Sequence, residues 1–521
     1  MILSVRKDAD RNRLTALPKS FPDFRLTRRR TGGTMQKPIQ VMKRFVKHLL
    51  PALGATVLAL NFIHSASGAE VSLQSPSTDQ DRLLRWYQSK TVSAYRKSSY
   101  TNSRWNDPAE KALELYSQMS ARPSARTAAN RATLVGHLQS AIDAGCNDPL
   151  IRYLELNYMP ETKAQTSDKF IAAWVQVAQR LDKSRHYTTA LKFKALLRVW
   201  NIWVGYNTDP SHPPPQYTDA LNCYNRAYGF AKKIVNETNT PPEIAYEACA
   251  GILRLFERDK NNGLKTFYDS VKNDLARKFP ENAWVSLLRG KYHIDYAWQA
   301  RGNGAGNTVP EEGGRLFVER MQIAEEALEK AWRLDPTIEA IPLEMMRVLL
   351  GLAPDQPRLE LWFQRAMTIN TNSYEACLAK LQYLLPQWYG SNEATLEFGR
   401  QCVASTKWGG EVPWTLIQAH WHAAGWMRDK ESRDEYWQDK SVWPDLKMAF
   451  EKCLKTMPER SNHLRHMYIR YARDCRQWDE MDKQLRLLTT TNFNYFGGSA
   501  SFNEMLERGE AKTNQPAADK K

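Results

Sequence analysis

One hydrophobic pattern runs through most of residues 81–506: apolar side chains return every three or four positions, with polar residues between them. This spacing places the apolar residues on one face of an α-helix, whereas a half-buried strand alternates apolar and polar residues. In residues 218–235 the shared face is formed by Ala220, Tyr224, Ala227, Ala231 and Ile234. Short segments rich in polar residues, glycine or proline separate the periodic stretches. The pattern predicts an all-α protein of alternating helices and short turns.

The start of one helix carries a signal of its own. Thr240-Pro241-Pro242-Glu243 has the form of a capping box, in which Thr and a Glu three positions later bond the free amide hydrogens of the first turn. Proline is also tolerated in a first turn, because an amide hydrogen there has no partner within the helix. We therefore expect a helix to begin here, capped by Thr240 and Glu243.

A longer period is superimposed on the helical one. Corresponding positions of one helical motif fall at Ala324, Leu359 and Ala394, so the motif recurs every 35 residues. A fixed period of this length is the sequence signature of arrays in which helical hairpins stack on their neighbours. The second half of the chain is therefore predicted to be a helical repeat domain.

The first copy resembles the tetratricopeptide repeat. The positions that match its tryptophan, leucine, alanine and proline residues are Trp284, Leu287, Ala324, Leu328, Ala331 and Pro336. The second copy matches with Leu359, Phe363 and Ala366, and the third with Ala394 and Phe398. A further copy, which follows an insertion, matches with Leu446, Phe450, Cys453 and Pro458. The resemblance covers about residues 282–488.

Three positions depart from the repeat pattern. Thr371 replaces the proline of the second copy, and Gln401 and Cys453 replace the small alanine of later copies. A small residue at that position lets two helices approach to about 8–10 Å where they cross. The substitutions therefore predict more loosely packed and divergent repeats.

The resemblance implies a fold and a mode of binding. Tetratricopeptide-like proteins are superhelical arrays of antiparallel helical hairpins, or α-solenoids, and their concave face holds an extended peptide or a partner protein. The chain as a whole also resembles secreted bacterial proteins of unknown function, which implies no particular activity.

Residues 42–69 have the organisation of a signal peptide. Lys43, Arg44 and Lys47 precede an apolar stretch at 49–63, and Ser67-Gly68-Ala69 supplies the small residues of a cleavage site. The apolar stretch is shorter than the roughly 20 residues that cross a bilayer. We predict an exported protein, periplasmic or extracellular, with no stable membrane span after cleavage. The alternative is an uncleaved N-terminal membrane anchor.

The rest of the chain divides at a proline-rich segment. Residues 207–217 contain four prolines, which lack an amide hydrogen and force the preceding residue out of the helical conformation. The predicted segments are an overextended N-terminus or disordered leader at 1–41, a flexible lead-in at 70–80, an N-terminal helical block at 81–206, a linker at 207–217, a repeat domain at 218–506 and a disordered tail at 507–521.

The formal net charge of +16 does not indicate a nucleic-acid-binding protein. Residues 1–69 contain 13 Lys and Arg against 3 Asp and Glu, which leaves a net charge of only +6 on residues 70–521. Proteins that bind nucleic acid present a concentrated basic face, and residues 70–521 contain no dense basic run. We therefore expect no nucleic acid among the partners.

One candidate ligand site surrounds the glycine-rich segment 300–314. This segment is longer than a tetratricopeptide turn requires, and it follows a helix predicted to end near Trp298. The carboxylate of Asp295, which is close in sequence to Arg289, Arg301 and Arg315, would bind a polar ligand or act as an acid or base. The alternative is a buried ion pair that ties the loop to its helix. The candidate ligand-binding residues here are Tyr292, Asp295, Tyr296, Trp298 and Arg301.

Tryptophans supply a second set of candidates. Trp388 and Trp408 fall at predicted hairpin turns, where they have a better chance of exposure than tryptophans within helices. Exposed aromatic rings stack on sugars and anchor peptides. The alternative is that these rings belong to the hydrophobic core.

The sequence contains no convincing metal or cofactor site. The seven cysteines lie at least 22 residues apart, which excludes CxxC motifs, and we interpret them as buried small apolar residues. His420 and His422 lie on different helix faces, and no carboxylate accompanies His463 and His466 at a ligand spacing. We therefore predict no cofactor and no metal.

These patterns together predict a non-catalytic extracytoplasmic scaffold that binds a protein or peptide partner. Two alternatives remain open. One is an envelope glycan-binding module that uses the tryptophans late in the sequence, Trp388 and Trp408 among them. The other is a hydrolytic enzyme with Asp295 in a loop-covered pocket.

Overall fold

The computed structural model of the protein describes residues 76–158, 167–206, 217–256, 262–302, 304, 306–427 and 429–513. These residues form helices joined by turns, and no β-strand occurs among them. The all-α prediction is therefore confirmed. The predicted leader at 1–41, the signal peptide at 42–69 and all but the last residue of the linker at 207–217 lie outside the described residues. Within the described ranges, no helix is both long enough and apolar enough to cross a membrane.

Contacts divide the chain into two compact units. The first unit ends at Glu344 and the second begins at Met345. The helices up to this division are α1 (Pro76–Lys90), α2 (Val92–Arg96), α3 (Asn106–Ala121), α4 (Ala128–Asp143), α5 (Pro149–Tyr158), α6 (Ser167–Lys183), α7 (Thr189–Tyr206), α8 (Tyr217–Asn236), α9 (Pro242–Leu255), α10 (Gly263–Lys278), α11 (Ala283–Arg301) and α12 (Glu311–Leu334). The division itself falls within α13 (Ala340–Gly351).

The second unit continues with shorter helices. They are α14 (Gln356–Ile369), α15 (Tyr374–Tyr383), α16 (Asn392–Ala404), α17 (Trp414–Gly425), α18 (Lys430–Gln438), α19 (Val442–Thr456), α20 (Ser461–Asp474), α21 (Trp478–Arg486) and α22 (Ser499–Thr513). Helix α1 begins within the predicted lead-in at 70–80, and α22 continues past the predicted start of the tail at residue 507.

Helices of the first unit form two layers. Consecutive helices from α6 to α12 pack on each other, and the helices from α6 to α9 also contact the helix two positions later. As a result, α6, α8 and α10 form one layer, and α7, α9 and α11 form the other. This is the arrangement expected of stacked helical hairpins. In α8 the predicted face is buried at Ala220, Ala227, Ala231 and Ile234, and Tyr224 is half-buried. The superhelical geometry implied by the repeat resemblance remains a prediction.

The four predicted repeat segments lie in helices α12, α14, α16 and α19. The small residues Ala331, Ala366 and Cys453 are completely buried, as close helix crossings require. Gln401, by contrast, is exposed. The close approach is made two residues earlier at Gly399, where an added Cβ would lie only 2.8 Å from the Cα of Leu416 in α17.

Helix α9 begins at Pro242, as predicted, but the predicted capping box was wrong. The N-cap residue is Pro241, whose side chain makes no capping hydrogen bond. Thr240 therefore lies one residue outside the helix, where its hydroxyl is not placed for the first-turn amides. The carboxylate of Glu243 instead accepts a hydrogen bond of 2.6 Å from Nη2 of Arg82 in α1.

The glycine-rich connection is shorter than the predicted 300–314. Helix α11 extends through Arg301 rather than ending near Trp298, and α12 already begins at Glu311. Gly302 ends α11 with a φ of 74°, a conformation that glycine adopts without strain. The two helices pack against each other, so the connection joins the arms of one long helical hairpin.

Candidate functional site

Tyr292 is an interior residue of a stack of aromatic rings. Its ring lies 3.9 Å from that of Tyr268 at an angle of 9°, and 5.4 Å from that of Tyr296 at 22°. Tyr292 is only 4% exposed. His293 lies against the same rings, and burial, followed by the charges of Arg289 and Arg320, lowers its pKa to about 4. The stack therefore holds α10 and α11 together around a neutral histidine.

Asp295 is buried in an ion pair. The ammonium of Lys291, one helical turn earlier, donates a hydrogen bond of 2.9 Å to its carboxylate, and both side chains are almost fully enclosed. Glu344 lies 3.9 Å from the same ammonium. Arg315, one of the expected partners, pairs with Glu312 and Glu319 instead. The carboxylate is thus buried beside Lys291, which gives the enzymatic alternative no geometric support.

The remaining candidates of this group stabilise the hairpin. Arg320 of α12 lies 3.3 Å from the ring centre of Tyr296 and donates to its backbone carbonyl at 2.6 Å. Trp298 packs edge-on against Phe317, with ring centres 4.9 Å apart. Arg301 covers the face of Trp298 and donates to the carbonyls that follow α11. These contacts join α11, α12 and their connection.

The turn tryptophans are less exposed than expected. Trp408 is half-buried, with its ring edge-on to Phe363 at 5.6 Å, and Trp388 is half-buried beside Tyr389. More exposed are Trp421 and Trp426, at 40% and 46%, on and just after α17.

A groove that the sequence analysis did not identify runs along α19. It has a volume of about 510 Å³ and is lined by Val403 of α16 and, from α19, by Pro444, Lys447, Met448, Glu451, Lys452 and Lys455. The α19 residues recur at spacings of three and four, so they form one face of the helix. The sequence held a signal for this face, because Leu446, Phe450 and Cys453 mark the opposite, buried side.

The groove combines an apolar surface with positive charge. Met448 is 42% exposed, and Pro444 is also exposed. Lys447 lies 3.8 Å from Glu480 of α21, and Lys452 donates to the Ser405 carbonyl at 3.4 Å, while Lys455 extends into solvent. With three lysines and one glutamate, the groove carries an excess of positive charge beside exposed methionine. An anionic segment with an apolar side chain would complement it.

Glu480 fixes the Lys447 edge of the groove. Burial raises the pKa of Glu480, but hydrogen bonds from Gln484 and Lys483 outweigh that effect and lower it overall. The carboxylate therefore stays ionised at neutral pH and holds the ammonium of Lys447 in place.

The described residues contain no group of three or more His, Cys, Asp and Glu side chains placed to hold a metal ion. All seven cysteines are buried free thiols. Comparison with known families gives no matching family model, and comparison with curated proteins gives no significant match.

Proposed function

We propose that the protein is a non-catalytic extracytoplasmic helical-repeat scaffold, and that the groove along α19 binds an acidic segment of a partner protein. The observation that carries the proposal is the combination in one groove of exposed Met448 and Pro444 with Lys447, Lys452 and Lys455. Methionine is flexible and polarisable, and it is common on surfaces that bind peptides.

We infer the acidic character of the bound segment from charge complementarity with the groove. Long-range attraction between the lysines and Asp or Glu side chains would steer the segment to the groove, and burial of its apolar side chain against Met448 would retain it. Export of the protein, as the sequence of residues 42–69 predicts, would place the partner in the cell envelope or outside the cell.

Fluorescence anisotropy tests the proposal with the full chain. The probe is a fluorescein-labelled peptide in which Asp and Glu flank leucine, and the control peptide has Asn and Gln in place of the acids. We expect saturable binding of the acidic peptide, weakened by salt because exposed charges are screened. Equal binding of both peptides would contradict the charge argument.

Charge-reversal variants locate the binding site. Each exposed ion pair contributes about 0.2–1 kcal/mol, so Lys452→Glu and Lys455→Glu should each weaken binding by roughly two- to tenfold after loss of attraction and gain of repulsion. Lys430→Glu is the matched control, because Lys430 is exposed in the same unit but does not line the groove. If all three variants bind equally well, the peptide does not use the groove.

Glycan binding is the second candidate, and the exposure of Trp421 and Trp426 favours it. Indole rings at a surface stack on the apolar face of a sugar ring. Quenching of intrinsic fluorescence by oligosaccharides, lost in a Trp421→Ala/Trp426→Ala variant, would support this candidate. Unchanged fluorescence across a glycan panel would remove it.

A further inference from the structure

A second cavity of the second unit, separate from the groove, contains a hydrogen-bonded tyrosine–histidine pair. Its volume is about 460 Å³, within the roughly 300–1,000 Å³ of small-molecule sites. The hydroxyl of Tyr436 in α18 lies 2.7 Å from Nδ1 of His420 in α17. Both residues line the cavity, and neither lines the groove along α19.

The other side of His420 fixes its tautomer. Its Nε2 lies 3.2 Å from Oδ2 of Asp445, and Nε of Arg400 also donates to that oxygen, at 3.0 Å. Burial raises the pKa of Asp445, but the bonds from His420 and Arg400 outweigh burial and lower it. An ionised carboxylate only accepts hydrogen bonds. In neutral His420 the proton is therefore on Nε2, and Nδ1 accepts the Tyr436 proton.

This arrangement determines what the cavity offers a ligand. When His420 is neutral, Tyr436 donates its proton to His420, so the phenol oxygen, which lines the cavity, is left as a hydrogen-bond acceptor. Burial, followed by the charge of Asp445, raises the pKa of Tyr436, which keeps it a neutral phenol. Ser441 likewise directs its hydroxyl proton to Asp439, at 2.6 Å. These groups present acceptor oxygens.

The charges of the residues that line the cavity also favour a cationic ligand. Glu435 and Asp439 line the cavity and are exposed, while the positive charge of Arg400 is matched by Asp445. The lining also includes the apolar side chains of Leu396, Met427 and Val442. A ligand that satisfies both kinds of lining residue has hydrogen-bond donors and a positive charge, together with methylene groups.

We propose that this cavity binds an alkylammonium group, with Tyr436 and Glu435 accepting hydrogen bonds from the nitrogen and the methylene chain packing on Leu396, Met427 and Val442. His420 and Asp445 act as positioning residues, because they hold the Tyr436 hydroxyl with its lone pairs toward the ligand. The site does not depend on the acidic-peptide proposal for the groove along α19.

Two sources supply an alkylammonium group: a free diamine, or a lysine side chain of a peptide. Cadaverine and Nα-acetyl-lysinamide represent them, and Nα-acetyl-norleucinamide is the matched control because it has a hydrocarbon side chain but no ammonium. Binding is followed on the full chain by the methyl NMR signal of Met427, assigned with a Met427→Leu variant. We expect saturable shifts with at least one ammonium probe and none with norleucinamide. The tighter probe identifies the source.

Variants test the assigned roles. Tyr436→Phe removes the acceptor oxygen but keeps the ring, and should weaken binding about tenfold, as expected for a hydrogen bond to a charged group. Glu435→Gln should weaken it about threefold, as expected for an exposed charge pair. Glu431→Gln is the control, since Glu431 is exposed one turn earlier on α18 and does not line the cavity.

The alternative is that the network only fastens α18, which has no buried residue of its own, to the unit. In that case neither ammonium probe shifts the Met427 signal, or norleucinamide shifts it equally. Either result overturns the proposal. Unchanged affinity in both Tyr436→Phe and Glu435→Gln, with folding confirmed by circular dichroism, overturns it as well.

Discussion

The buried ion pair in α11 gives the sharpest stability prediction. Lys291 and Asp295 lie 2.9 Å apart, with side chains only 6% and 0% exposed. Asp295→Asn keeps the shape and a hydrogen-bonding oxygen but removes the negative charge. The ammonium of Lys291 then remains buried, with the carboxylate of Glu344 at 3.9 Å.

Removal of one partner of a buried ion pair costs about 3–5 kcal/mol, because the other charge is left without compensation. Glu344 offsets part of that cost, so we expect Asp295→Asn to lower the free energy of unfolding by about 3 kcal/mol. Lys291→Met/Asp295→Leu removes both charges and replaces them with apolar groups of similar size. Such replacements are often neutral, so the double variant should lie within about 1 kcal/mol of the wild type.

Urea unfolding followed by circular dichroism measures these differences, provided that the slope of free energy against urea is unchanged. A cost of less than about 1 kcal/mol for Asp295→Asn, or a double variant that loses at least as much stability as Asp295→Asn, would refute this expectation. The same single variant bears on the enzymatic alternative. If lower stability is its only effect, Asp295 has no role in a ligand site.

Three further predictions concern packing, pH and thiols. Gly399→Ala should destabilise the protein by about 1–2 kcal/mol, because the added Cβ would meet the backbone of Leu416. Gly229→Ala, on the open face of α8, should stabilise the protein by about 0.5–1 kcal/mol. Thermal unfolding of the two variants and the wild type measures both effects. Burial lowers the pKa of His293 and His463 from 6.5 to about 4. Between these two pH values the unfolded chain therefore binds more protons than the folded chain. The free energy of unfolding, measured by urea titration, should be fully present above pH 6.5 and should fall as the pH is lowered toward 4. A stability that is flat over this range would contradict the burial of both rings. All seven cysteines are buried, so a thiol reagent should modify them only after denaturation, and rapid reaction of the native protein would contradict that burial.

The helical architecture was predictable because its signal is local. Spacings of three and four depend on the period of the helix alone, and the buried face of α8 includes four of the five residues that this spacing selects. The departure at α16 has a different cause. Gln401 occupies the repeat position that aligns with the small alanine, but it is Gly399 that faces Leu416. Which residue faces the next helix depends on how α16 is rotated about its own axis, and a sequence alignment does not give that rotation.

The candidate site was less predictable because its contacts are distant in sequence. The sequence grouped Asp295 with nearby arginines, yet its partner is Lys291, which shares its helix face. The network of His420, Tyr436 and Asp445 joins three helices, and spacing of histidines along one helix gives no sign of it. The lysine face of α19 could have been predicted, because the sequence already identified the buried face on the opposite side of the helix.

The most direct test of the scaffold proposal is photo-crosslinking in the source cells from a benzophenone amino acid placed at Met448. The account predicts one enriched envelope or extracellular partner, crosslinked through an acidic segment and lost when Lys452→Glu and Lys455→Glu are combined. The same amino acid placed at Lys430 should not capture that partner. Failure of the Met448 position to crosslink any protein, or equal capture from both positions, would contradict the claim that the groove along α19 is the binding surface.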